Sequence, residues 1–418
     1  MDNVMSSVGE DIGRSFRTGI LAGVVAVALA LGGCGADQDG SGTGNSPLTI
    51  GISMSLTGSF ANSGKAAQRG YELWAKVANT EGGILGRRIV LKFVDDASLP
   101  ERAADNYERL ISTDKVDLVL GPFSSKLTIP SSQVAERHGY AFVEPAGGVP
   151  KVFAQKLNNI FFVQPAPTVQ QGGVFAEYVL SRPAAERPKT AAYTVLDDPF
   201  SQPIAEYIRD KFEKAGIKTV FSHTYAEGAD LAPVVAKVAA ARPDVLVAAT
   251  QSEDGYATVR SLIALRWGPR WLYLANGANS PVEFPAKVGA ANVDGIFTSG
   301  DWFPGSNTSG SAAFVGAYLS EYGGSAGQID NTSVEAYSAG LLLEQVAAKT
   351  GRIDNATIIK TLHEGTWLTP VGDLSWDSTG APKGSYILMQ WIDGTLQSVY
   401  PPGRAQNEAT TARLLWAK

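Results

Sequence analysis

Cysteine is almost absent from this chain: Cys34 is the only one in 418 residues, so no disulfide can form within it. Histidine is nearly as scarce. His138, His223 and His363 stand far apart, none in an HExxH run or beside a CxxC pair, and neither a GxSxG elbow nor a GxGxxG turn occurs. These absences argue against a zinc centre, a nucleophilic hydrolase and a dinucleotide enzyme, and no catalytic residue, metal or cofactor is expected. GSFANSGKA (58–66) misses the phosphate loop: five residues, not four, separate its glycines, and Ala66 follows the lysine where Ser or Thr is needed. Apolar residues make up 44% of the chain, yet no run is long enough to span a bilayer. A net charge of −6 without a basic cluster gives no reason to expect nucleic acid.

The amino terminus carries a different signal. Arg14 and Arg17 precede an apolar segment, Gly19 to Leu31, which ends in Leu31-Gly32-Gly33-Cys34. That is the basic, apolar and small-residue order of a secretory signal. Its ending resembles a lipobox, which implies that residues 1–33 are removed and that Cys34 becomes the lipidated first residue of a bacterial lipoprotein. Residues 35–46 are rich in Gly, Ser and Asp and read as a flexible tether of roughly 17–21 Å. The chain is thus expected on the outer face of the cell membrane, anchored by acyl chains rather than embedded.

From Leu48 onward, strands and helices alternate. LTIGISMSL is an apolar, β-branched run; TGSFANSG is a small-residue loop; and a helix is expected from Gly64 to Ala78, with Ala67, Tyr71, Trp74 and Ala78 on one stripe. Asn62 or Ser63 can cap its start, Gly82-Gly83 can end it, and the next strand, RIVLKFVDD, finishes in Asp95 and Asp96, which read as helix caps. Further strands follow at VDLVLG, YAFVEP and IFFV, then at TAAYTVL, TVFSHTY, DVLVAAT, RWLYLAN and GIFTSG, with helices between them. Helices begin near Ile129, Ala205, Ala257 and Val334 on this reading, and SYILMQWIDGTLQSVY is a hairpin turning at Asp393-Gly394. This is an α/β pattern of two Rossmann-like lobes. The first lobe is expected at 47–166 plus 303–384, the second at 167–302 plus 385–402, with a tail at 403–418. Three crossings form the hinge, and a ligand cleft lies between the lobes where strand ends meet.

SMSLTGSFANSGKAAQRGYELWAKVANTEGGILGRRIVLKFVDDAS resembles the opening signature of bacterial type I solute-binding proteins of ABC importers, in their branched-chain amino acid and amide branch. GPFSS (121–125), VEPAGG (143–148) and GDLSWDSTGAPKGSYILMQW (372–391) agree with it. The resemblance implies the type I periplasmic-binding-protein fold, clamshell closure over a small polar solute, and ABC permease subunits as partners of a monomeric receptor. It places Ser63, Ser125, Ala146 and Gly148 on one wall of the cleft, and Phe200, Gln251 and Asn276 on the other. Two departures stand out. Amino-acid binders often carry an acidic residue where Asn276 stands and a hydroxyl where Gly148 stands, both for the ligand ammonium. The expected ligand is therefore an amino acid, an amide, a urea-like compound or a small carboxylic acid. Asp197, Asp198, Glu253 or Asp254 could supply a charge from a neighbouring turn, and Trp302 is a candidate cleft or hinge residue. Ser98 and Ser124 occupy places where many relatives have a disulfide. A sensory lipoprotein reporting solute to a signalling partner is the alternative reading.

Overall fold

The computed structural model describes residues 46–410 together with 414 and 416; the signal and Cys34 lie outside the described residues. A first run of elements comprises β1 (Leu48–Met54), α1 (Ala61–Thr80), β2 (Ile89–Asp95), α2 (Pro100–Ser112), β3 (Leu118–Leu120), α3 (Ser125–Arg137), β4 (Phe142–Glu144), α4 (Pro150–Phe153) and β5 (Ile160–Phe162). A second run begins with α5 (Val169–Ser181), β6 (Thr190–Leu196), α6 (Ser201–Lys214), β7 (Lys218–Tyr225) and α7 (Ala232–Ala241). It continues through β8 (Val245–Ala249), α8 (Ser252–Ala264), β9 (Trp271–Leu274), α9 (Glu283–Val288) and β10 (Ile296–Gly300). Then come α10 (Ser311–Tyr322), α11 (Asn331–Thr350), α12 (Asn355–Leu362), the short pair β11 (Trp367–Thr369) and β12 (Gly372–Leu374), and the hairpin β13 (Ile387–Ile392) and β14 (Thr395–Tyr400).

The strands form two main sheets, β2-β1-β3-β4-β5 and β14-β13-β10-β9-β8-β6-β7. All pairings are parallel in the first, and in the second only those made by the β13–β14 hairpin are antiparallel. The chain passes from one sheet to the other after β5, after β10 and before β13. β1 alternates large apolar residues with the small Thr49, Gly51 and Ser53, and all but Thr49 are buried, since helices cover both faces of the sheet. Leu48, Ile50, Ile52 and Met54 are fully buried in a cluster with Tyr71 and Trp74 of α1 and Leu342 and Val346 of α11. On the other face, Gly51 lies against Leu110 and Val116.

Helix α1 starts at Ala61, three residues before its expected position, and neither Asn62 nor Ser63 caps it. Phe60 holds the cap position without a side-chain bond, and the loop before it is fastened from the neighbouring strand end instead. Asp95 accepts from Leu56 N (2.9 Å) and Thr57 Oγ1 (2.6 Å), while Asp96 accepts from Ser55 Oγ (2.6 Å) and Ser98 N (2.9 Å). Ser98 Oγ accepts from Phe60 N at 3.0 Å and donates to Thr57 O at 2.8 Å. The two aspartates therefore brace the β1–α1 loop rather than cap α2, whose cap residue is Leu99. Ser98 holds that same loop, and Ser124 caps α3 through Lys126 N at 3.3 Å.

Helices α1 and α11 pack closely because small residues face large ones. Ser333 Oγ donates to Ala66 O at 2.7 Å, and a Cβ on Gly340 would come within 1.9 Å of the Trp74 ring. Gly340→Ala should thus cost about 1–3 kcal/mol by overpacking, read from equilibrium denaturation. Gly316→Ala, in exposed α10 with nothing within 4 Å of the added carbon, should move stability the other way by about 0.4–1 kcal/mol.

Candidate functional site

Every strand of a parallel sheet delivers its following loop to the same edge. In the first sheet that edge carries Asn62 and Ser63 after β1, Phe123 to Ser125 after β3, Ala146 and Gly147 after β4, and Gln164 after β5. The second sheet supplies Phe200 after β6, Gln251 and Ser252 after β8, Ala275 and Asn276 after β9, and Ser299 to Asp301 at the end of β10. The start of α11, Asp330 to Thr332, and Glu335 complete one cleft of about 790 Å³, open solvent at its mouth included.

The two halves are bonded to each other across its rim. Lys126 Nζ meets Glu227 Oε2 at 2.9 Å, Asn62 Nδ2 donates to Glu283 Oε2 at 3.3 Å, and Ser280 Oγ donates to Asp330 Oδ2 at 2.9 Å. The lysine and glutamate are only partly covered, and the lysine holds the Glu227 carboxyl below its ordinary range. This is a closed arrangement.

Six of the expected residues, Ser63, Ser125, Ala146, Phe200, Gln251 and Asn276, line this cleft. Gly148 does not. Its carbonyl takes Thr168 N (2.8 Å) and Thr168 Oγ1 (3.1 Å), and its Cα packs against the Phe162 ring, so the preceding Gly147 faces the cleft instead. Ser125 opens α3 and its hydroxyl takes no partner among the described residues. Gln251 and Asn276 belong to a relay. Asp198 Oδ2 accepts from Gln251 Nε2 at 2.7 Å, and Gln251 Oε1 accepts from Asn276 Nδ2 at 3.0 Å. Asp198 Oδ1 also accepts from Ser201 N at 2.6 Å, which fastens the start of α6 beside Phe200. Of the acids in neighbouring turns, Asp197, Asp198, Glu253 and Asp254 all stand outside the cleft lining, and burial pushes the Asp254 carboxyl up to about 6. Trp302 also lies off the lining, buried with its indole N–H on Ser311 Oγ at 2.9 Å and its ring edge-on to Phe314.

Deeper in, toward the crossings, where Trp302 was the expected side chain, other residues line the cleft. Gln164 Nε2 donates to Pro145 O at 3.1 Å, and Gln164 Oε1 accepts from Tyr386 Oη at 2.7 Å, so one amide ties both halves at the hinge. Asp301 and Glu335 are 2% and 5% exposed, with their carboxyls within hydrogen-bonding reach of each other. Burial pushes Asp301 up to about 6, and burial with the charges of Asp301 and Asp330 drives Glu335 well above the ordinary carboxylate range. Asp301 could have been found by the strand-end rule, since it follows β10 directly. Glu335 announced itself only as an acid among small and apolar residues in SVEAYSAG. The lining has three carboxylates, many amides and no lysine or arginine. Among the described residues no group of three or more His, Cys, Asp and Glu side chains could hold a metal ion.

A family model for periplasmic binding proteins matches residues 47–395. The chain is 26% identical over 354 residues to Leu/Ile/Val-binding protein homolog 3 of Brucella melitensis biotype 1, covering 84% of this chain and 92% of that protein. An amino acid binding protein of Pseudomonas aeruginosa is 30% identical over 234 residues, 56% of this chain and 59% of that one. Among solved structures, a leucine binding protein from Thermotoga maritima superposes with a TM-score of 0.76 at 18% identity, covering 84% of this chain and 98% of that one. An ABC-transporter solute binding protein from R. palustris, in complex with benzoate, gives 0.74 at 21% identity, with 88% and 100% covered.

An exposed ion pair contributes about 0.2–1 kcal/mol. Lys126→Ala should accordingly lower the closed-to-open ratio by up to about fivefold, measured as the distance distribution between spin labels placed on the two halves.

Proposed function

The chain belongs to the periplasmic binding protein family, with the type I fold of its branched-chain amino acid branch, and from that membership we propose a specific role for this solute-binding protein. It captures a small polar solute outside the cytoplasm, closes over it and presents it to the membrane subunits of an ABC importer. The solute is an amino acid, an amide, a urea-like compound or a small carboxylic acid. One observation carries the reading: loops at the carboxyl edges of two parallel sheets converge on a single polar cleft that is bonded shut across its rim. A solute touching both walls favours the closed form by its differential affinity for it.

The relatives support the solute class, being named for Leu, Ile and Val or crystallised with benzoate. On this proposal Ser125, through its hydroxyl and its own N–H at the start of α3, holds the solute's polar head, because a helix start favours negative charge and donates hydrogen bonds. Asn276, held by the relay from Asp198, offers an uncharged amide from the opposite wall. Lipidation of Cys34 then keeps the receptor at the membrane as a monomer on a short tether.

A thermal-shift screen of the full-length protein against amino acids, amides, ureas and small acids tests the capture. A true ligand at a hundredfold its Kd adds about 2.7 kcal/mol, seen as a rise of several degrees in Tm; no shift with any class would refute the proposal. Ser125→Ala should then weaken the hit by about tenfold or more, the cost of a hydrogen bond to a charged group, measured by calorimetry. Cys34→Ala should move the protein from the membrane fraction to the soluble fraction on cell fractionation.

A further inference from the structure

The Asp301–Glu335 pair has no role in the capture described so far, and its chemistry is incomplete. Asp301 Oδ1 accepts from Asn331 Nδ2 at 2.7 Å, but Asp301 Oδ2 and Glu335 Oε2 are shielded from solvent and meet no donor among the described residues. Two carboxylates that close, out of water, cannot both remain charged without a cation between or beside them. The surroundings do not supply one to the cleft. Asp330 adds a third negative charge at the start of α11, while Asn331, Gln164 and Tyr386 are neutral. Arg404 lies beside Asp301, donating to the backbone carbonyls of Asp301 and Ser385, both at 3.0 Å, and its charge acts against the upward push that burial gives the Asp301 carboxyl; it does not line the cleft.

We propose that Asp301 and Glu335 form a subsite for a cationic nitrogen of the solute, so that the captured molecule is a small organic ammonium or guanidinium compound. The inference rests on the solute-capture reading and narrows it. The positive end lies at the hinge side of the cleft, against the two carboxylates, and the polar or anionic end reaches Ser125. In the ligand-free protein one proton is shared between the pair; the bound cation takes its place, and that proton leaves to solvent.

The sign with pH follows. Asp301 titrates at about 6 in the folded chain and Glu335 above its ordinary range, so the folded state holds protons that the unfolded state has released. The free protein therefore loses stability as pH rises from about 4 through about 6, and cation affinity rises over the same interval and beyond it. Calorimetry on the full-length protein should use three pairs matched in size but not in charge: arginine with citrulline, 5-aminovalerate with hexanoate, and 4-aminobutyrate with pentanoate. In at least one pair the cationic member should bind tenfold tighter or more than its isostere, with affinity increasing from pH 5 to 7.5 and proton release on binding. Glu335→Gln or Asp301→Asn should erase the preference. Because the comparison within pairs uses the unaltered protein, it stands even if a variant does not fold. Equal or tighter binding of the isosteres that lack the cationic nitrogen overturns the inference, as does binding of leucine or benzoate alone with Glu335→Gln unaffected; in both cases solute capture stands. A protein that binds none of these compounds, nor any class in the wider screen, overturns both.

Discussion

Parallel pairing is the constraint on which this architecture depends. In a parallel sheet every strand ends at the same edge, and a helix usually follows, so that edge collects loops and helix starts with their unpaired N–H groups. Buried in one lobe alone, those groups would be costly; facing a second edge of the same kind, they define a polar gap. Here the starts of α1, α3, α6, α8 and α11 all contribute to the lining. The gap is thus a consequence of topology first and of particular side chains second.

The side chains decide what such a gap can hold. Helix starts favour negative charge near Ser125, and the carboxylates of Asp301 and Glu335 favour positive charge toward the hinge. The two preferences lie at different places in one cavity, with aromatic rings of Phe123, Phe200, Tyr256 and Tyr386 between amides along its walls. That polarity orients a guest as well as selecting it.

Much of the fold was legible in the sequence because buried strands such as VLVAA are continuous apolar runs, and α1 shows its stripe from Ala67 to Ala78. The helix starts were read late for a physical reason. Periodicity marks the face a helix buries, whereas the first turns of α1, α3 and α8 carry Asn and Ser toward the cleft and show no period. The family pattern led to Ser125, Ala146, Phe200, Gln251 and Asn276, all of which line the cleft, but was off by one at Gly148, where the Phe162 ring and Thr168 fix the turn so that Gly147 faces inward. Glu335 stayed hidden because a lone acid in a helix usually reads as a solvent-facing residue. Only the packing of α11 on α1 turns it inward.

The rim bonds deserve one last thought. Lys126–Glu227 and Asn62–Glu283 are exposed, and such contacts are individually feeble and fade in salt. On the proposed capture, how long the two halves stay closed would be set by the bound solute more than by these contacts. An importer that recognises only the shut form would then be spared futile docking by vacant carriers, without any separate sensor of occupancy.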